Sequence, residues 1–216
     1  MSDAGMDWQA WHRDYDDPDS GVSARLLEVR RRLAAALDAV DGRPRLLNLC
    51  AGDARDMIPL LATSHRDVDA CAVELDPALA EAARRTAAAA GADVDVRTRD
   101  AADPTTYADR LPVDVLMLVG VLGNISDADG ESTGAAAASM LRPGGTVLGT
   151  RSDRFRSEPT HDHADPADWV RARFEAHGFE TVAYVVPEGW HWRLGVSRLA
   201  TPSPAPLPER LFSFVR

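Results

Sequence analysis

Cysteine is scarce in this 216-residue chain: Cys50 and Cys71 are the only two. Both sit inside apolar, strand-like runs, and their spacing matches no metal-binding pattern, so plain packing in a reducing compartment is expected. Basic residues are a minority, 24 Lys plus Arg against 34 Asp plus Glu, for a formal net charge of −10. That deficit argues against a large nucleic-acid footprint, which needs clustered cations to neutralise phosphates. The longest basic run, Arg30-Arg31-Arg32, would spread around a helix and reads as a solvated face. No apolar run reaches the length of a membrane span, and no basic segment followed by an apolar core opens the chain. A cytoplasmic protein with no membrane partner is expected.

Hydrophobic residues make up 45% of the chain, enough for a sizeable core. Residues 1–20 are polar and acidic but carry Trp8, Trp11, His12 and Tyr15, which suggests an arm that docks. Ser23–Val40 has apolar residues near helical spacing and stops at Asp41-Gly42-Arg43-Pro44. Strands and helices then alternate: strands at Leu46–Cys50, Ala70–Val73, Val94–Thr98, Val113–Val119 and Thr146–Thr150, with helices from Asp56, Ala78, Asp127 and Asp165. This alternation implies a parallel sheet with helices on both faces. Phe179–Val186 and Trp192–Arg198 are separated by too short a turn for a crossover and should be antiparallel to each other. Three segments follow: 1–41 as an arm and helix that could cover a site, 42–200 as the main domain, and 201–216 as a proline-rich tail that packs back.

The chemistry gathers at the strand ends. Leu49-Cys50-Ala51-Gly52-Asp53 is a small-residue turn after the first strand, where a ligand can approach the backbone. Glu74 ends the second strand, and two carboxylate oxygens suit the two adjacent hydroxyls of a ribose. Asp76 before Pro77 suits a helix N-cap. Gly-x-Gly-x-x-Gly is missing, and Asp53 would oppose a pyrophosphate, so a hydride-transferring dinucleotide domain is disfavoured.

Asn48, Cys50, Gly52 and Ala54 stand where class I S-adenosylmethionine-dependent methyltransferases place an acid and three alternate glycines; Glu74, Thr98-Arg99-Asp100-Ala101 and Asp114 to Asn124 fall where later motifs belong. Four motifs in order resemble that family; the turn from Leu49 to Asp56, the Trp11-His12-x-x-Tyr15-Asp16 segment and the Arg210-Leu211-Phe212-Ser213-Phe214 ending resemble, more narrowly, a group of bacterial small-molecule methyltransferases. The resemblance implies a Rossmann-like methyltransferase fold, a seven-stranded, mostly parallel sheet with an antiparallel last hairpin. It implies S-adenosylmethionine as cofactor and S-adenosylhomocysteine as product. Cys50, Ala51 and Gly52 would lie under the methionine part, Glu74 would take the ribose, Leu75 would flank the adenine, and Asp100 with Ala101 would read its edge. Gly120 and Val121 would face the transferred methyl group. The Asn or Asp followed by Pro-Pro and an aromatic, used by base N-methylating relatives, is missing, which disfavours DNA or RNA base N-methylation by that scheme; a small-molecule acceptor is expected.

The cofactor supplies the electrophile, so alignment and, for some acceptors, one proton acceptor are all the chain need add. The proton-accepting candidates are His12, His161 and His163, with His191 behind them. Trp11, Tyr15, Asn124 and Arg151 are candidates to shape the acceptor pocket or its lid, Arg151 by holding an anionic group. No metal is expected. A module that binds the cofactor without turnover, or a different nucleoside-cofactor transferase on the same fold, would share most of these residues.

Overall fold

The computed structural model describes residues 13–64, 66–152, 166–202 and 205–215. Its centre is one seven-stranded sheet in the order β3-β2-β1-β4-β5-β7-β6. The strands are β1 (Arg45–Leu49), β2 (Asp69–Glu74), β3 (Val94–Thr98), β4 (Val113–Leu118), β5 (Leu141–Ser152), β6 (Phe179–Val185) and β7 (Trp192–Leu199). All neighbours from β3 to β5 pair in parallel, whereas β7 pairs antiparallel with both β5 and β6. The expected sheet and last hairpin are therefore present.

Five α-helices flank it: α1 (Gly21–Asp38), α2 (Ile58–Thr63), α3 (Pro77–Ala90), α4 (Asp127–Met140) and α5 (Pro166–Ala176). Successive strand residues point to opposite faces, so β1 serves two cores at once. Leu47 and Leu49 join the cluster containing Met140 and Phe174, while Leu46 joins Val29, Leu33 and Met57 on the other face. Near-continuous apolar strands follow from burial on both faces.

Helix boundaries have local causes. Ser20 caps α1 by accepting from Ser23 N at 3.1 Å. Asp76 caps α3 by accepting from Ala78 N at 2.7 Å, with Pro77 in the first turn and Gly91 closing the helix at φ 66°. Most boundaries shift by one or two residues; the start of β5 differs most from expectation. β5 starts at Leu141, not Thr146, because Leu141 already pairs with Val113; the Pro143-Gly144-Gly145 corner is a register shift within the pairing.

Chain direction puts the carboxyl ends of β1 to β5 at one edge, and strand order reverses between β1 and β4. Open α/β sheets bind ligands in the crevice at such a switch point.

Gly178 tests the geometry that follows α5. Its φ is 86°, and a Cβ there would lie 2.1 Å from Thr201 O. Gly178→Ala should destabilise the fold by about 2 kcal/mol or more, since left-handed strain and a backbone clash add. Urea unfolding measures it; a midpoint within error of wild type would contradict this packing.

Candidate active site

A cavity of about 830 Å³ opens at the switch point. That is near the upper end for small-molecule sites, with room for more than one ligand. Its walls come from the ends of β1, β2, β4 and β5, the turn before β7, the start of α1, and the C-terminal segment.

The turn after β1 forms the floor. Cys50, Gly52 and Ala54 have φ of 56°, 58° and 53°. These are the three places where the resembled motif carries glycine, and all three adopt the left-handed conformation that glycine favours. Glu74, 9% exposed, reaches across from β2. Its Oε2 accepts from Gly52 N at 2.7 Å and its Oε1 from Asp76 N at 2.8 Å. Each oxygen keeps a second lone pair for a ligand hydroxyl. Burial, with the charges of Glu74 and Asp100, pushes the Cys50 thiol far up, so it stays protonated and poorly nucleophilic.

Asn48 points to the opposite face from Leu47 and Leu49. Its Nδ2 donates to Asp56 Oδ1 at 3.1 Å. Asp56 lines the cavity and is almost wholly buried. Burial, then the charge of Asp53, pushes its carboxyl up to about 6. The acid missing from position 48 thus reappears eight residues later on the same side of the sheet. Sequence reading missed Asp56; the signal was an acid in an otherwise apolar helix start. Asp53 does not stand alone either: Arg55 Nε donates to it at 2.9 Å, and the Arg55 guanidinium lies 4.4 Å from the Tyr15 ring centre. The Tyr15 hydroxyl accepts from Arg25 Nη2 at 2.8 Å. Tyr15 also lines the cavity.

Beyond β3, Asp100 Oδ1 accepts from Ala102 N at 2.9 Å, and Arg210 Nη1 donates to Oδ2 at 2.9 Å. Leu75, Asp100 and Ala101 all line the wall. Gly120 lies at the end of β4, with its N–H donating to Thr150 Oγ1 at 2.8 Å and its carbonyl accepting from Asn124 Nδ2 at 2.6 Å.

One expectation needs correction. Val121 is not in the wall; it is fully buried in the core, because the turn at Gly120 carries it inward, and Val119 lines the cavity instead. Arg151 reaches the wall: its Nη2 meets Asp127 Oδ1 at 3.2 Å, the group lies 5.9 Å from the Trp169 ring centre, and its Nε and Nη1 are buried with no hydrogen-bond partner among the described residues. Trp11, His12, His161 and His163 lie outside the described residues. His191, Trp190 and Trp192 line the cavity. Among the described residues, no group of three or more His, Cys, Asp or Glu is placed to hold a metal, and no helix is long and apolar enough to cross a membrane.

Residues 46–145 match the family model of a methyltransferase domain. That stretch of the chain is thus similar to a methyltransferase domain. No curated protein matches this chain. Among solved structures it is similar to CurJ carbon methyltransferase, with a TM-score of 0.69 and 16% identity over 90% of this chain and 59% of that one. It is also similar to magnesium protoporphyrin IX methyltransferase from Synechocystis PCC 6803 with bound SAH, with a TM-score of 0.66 and 13% identity over 88% and 93% of the two chains. An RNA methyltransferase from Salinibacter ruber is more distant, with a TM-score of 0.50 and 19% identity over 82% of this chain and 96% of that one. At these identities the structural likeness establishes the fold.

Asp56 gives the ligand-free protein a pH signature. The unfolded carboxyl ionises near 3.8 and the folded one near 6, so stability present below pH 4 is lost as pH rises through 6. Relative to wild type, Asp56→Asn should gain about 2–3 kcal/mol between pH 4 and pH 7.5. Urea unfolding at the two pH values checks this, and parallel curves would contradict it.

Proposed function

We propose that this protein binds S-adenosylmethionine in the cavity at the β1–β4 switch point and transfers its methyl group to a small molecule by in-line displacement. The observation that carries this reading is the buried Glu74 carboxylate, held across from the left-handed turn at Cys50, Gly52 and Ala54. The donor set fits the cofactor. Glu74 offers two lone pairs to the ribose hydroxyls, and Asp100 offers acceptors to an amino-bearing base. Cys50, Ala51 and Gly52 give a close backbone approach, and ionised Asp56 suits a cationic amino-acid tail.

When bound, the cofactor supplies an electrophilic methyl group on a positively charged sulfur. The chain aligns the acceptor and keeps water away. Gly120, Asn124, Ser152, Trp190 and Phe214 surround the acceptor end of the cavity in this reading. Asn124 uses Nδ2 on Gly120 O, which leaves Oδ1 to accept a hydrogen bond from an acceptor N–H or O–H. His191 at the rim, together with His12, His161 and His163, are the candidates to take the proton.

A small acceptor is favoured over a nucleic acid by charge. Of the four arginines that line the cavity, Arg55, Arg151 and Arg210 each meet an aspartate and Arg25 donates to the Tyr15 hydroxyl, so they form no row of free cations for phosphates.

Calorimetric titration with S-adenosylhomocysteine tests the cofactor site. Wild type should bind, and Glu74→Ala, with folding checked by thermal melting, should weaken binding on the order of 100-fold, since two hydrogen bonds to a charged group are lost. No binding by wild type, or unaltered binding by the folded variant, would overturn the assignment. Residues 1–41 are read as the cover of the same site, through Tyr15 and the start of α1. A chain lacking residues 1–20 should then lose cofactor or acceptor binding by the same measurement; unchanged binding would sink the lid reading.

A further inference from the structure

The C-terminal segment is built into the cavity wall. Leu211 N donates to Ala102 O at 2.8 Å, and Val215 N donates to Asn124 O at 2.9 Å. Ser213 N donates to Asp129 Oδ2 at 3.1 Å, and Phe214 forms an antiparallel bridge with Ile125. One short extended stretch is thus fastened to the loop after β3 and to the loop after β4. Arg210, Phe212 and Phe214 all line the cavity, and the two phenylalanine rings stack at 5.6 Å.

Arg210 is the polar end of this clasp. Its Nη1 donates to Asp100 Oδ2 at 2.9 Å, while its Nε donates to Ser213 Oγ at 3.1 Å. The opposite oxygen of Asp100 accepts from Ala102 N at 2.9 Å. At 37% side-chain exposure, Asp100 would otherwise rotate in water. Tied at both oxygens, the carboxylate is fixed in plane before any ligand arrives, and each oxygen keeps one lone pair.

We propose that Arg210 is a positioning residue that makes this site select an amino-bearing purine over an oxo-bearing one, by holding the Asp100 carboxylate against the base edge. An ionised carboxylate only accepts hydrogen bonds. A 6-amino group donates to it; a 6-oxo group faces it lone pair to lone pair and is rejected. Preorganisation matters most for that single contact and little for the ribose or the amino-acid tail. The inference rests on the cofactor reading above, with Asp100 at the base, and adds a residue from the opposite end of the chain.

The test compares S-adenosylhomocysteine with its 6-oxo analogue, S-inosylhomocysteine, on wild type, Arg210→Ala and Arg210→Lys, by calorimetry with competition for weak binding. Wild type should prefer the adenine compound. Arg210→Ala should weaken the adenine compound about threefold to fivefold, the scale of one exposed charge pair, and leave the inosine compound unchanged. Arg210→Lys should recover most of the preference. Raising salt should narrow the preference of wild type and not that of Arg210→Ala, because an exposed pair is screened. Equal weakening of both ligands, or no change in either, would overturn the proposal, while leaving the cofactor site standing. Failure of wild type to bind S-adenosylhomocysteine at all would instead overturn the cofactor reading and this one with it.

Discussion

One buried carboxylate organises the carboxyl edge of the sheet. Glu74 belongs to β2 but bonds to Gly52 N in the turn after β1 and to Asp76 N at the start of α3. Hydrogen bonds to a charged acceptor each contribute about 1.5–3 kcal/mol, and here they also prevent two backbone amides from being buried without partners. The bridge sets the distance between the β1 turn and the β2 end, and with it the width of the cavity. It also lets Asp76 sit where its own carboxylate caps α3. Truncating Glu74 therefore removes more than a ligand contact, which is why folding and binding must be followed separately.

The turn that Glu74 pins is strained. Left-handed backbone at Cys50 and Ala54 costs about 1–2 kcal/mol per residue relative to glycine. That cost is tolerated because both residues also fill space: Ala54 is fully buried in the core that holds Met57 and Leu46, and Cys50 packs against the opposite core. Packing thus stands in for glycine's conformational freedom, and the floor stays small enough for a ligand. The acid moved from position 48 to position 56 follows the same logic. Strand alternation sends Asn48 to the face where Asp56 begins the following turn, so an amide on the strand can hold a carboxylate from the loop.

Much of this was legible in the sequence because it is local. Alternating apolar runs and turns give the five parallel strands, and the short turn at Pro187-Glu188-Gly189 gives the final antiparallel pair. Cys50, Gly52, Glu74 and Asp100 sit at strand ends, where spacing alone fixes their place. What escaped depends on contacts between distant parts of the chain. Val121 follows a left-handed glycine whose turn direction sequence does not reveal, so its burial was not foreseen. Arg151 sits at the right strand end, but its partner Asp127 lies at the start of α4, 24 residues earlier in the chain. The early start of β5 comes from pairing with Val113 across a corner that reads as a turn. Arg210 meets Asp100 across 110 residues, and no periodicity carries such a contact.

Charge placement ties these pieces to the chemistry. The chain has no lysine, so its 24 basic side chains are all arginine, and Arg25, Arg55, Arg151 and Arg210 line the cavity. Arg55 neutralises Asp53, Arg151 meets Asp127, and Arg210 holds Asp100. Glu74 and Asp56 are bonded instead to neutral donors, and the Arg25 charge only partly opposes the upward shift of Asp56, so the cavity floor carries negative charge once pH exceeds the Asp56 titration near 6. Under the cofactor reading, that charge favours a sulfonium over the neutral thioether left after transfer. Attraction is then greatest before the methyl group moves and weaker afterwards, which helps donor entry and product release alike.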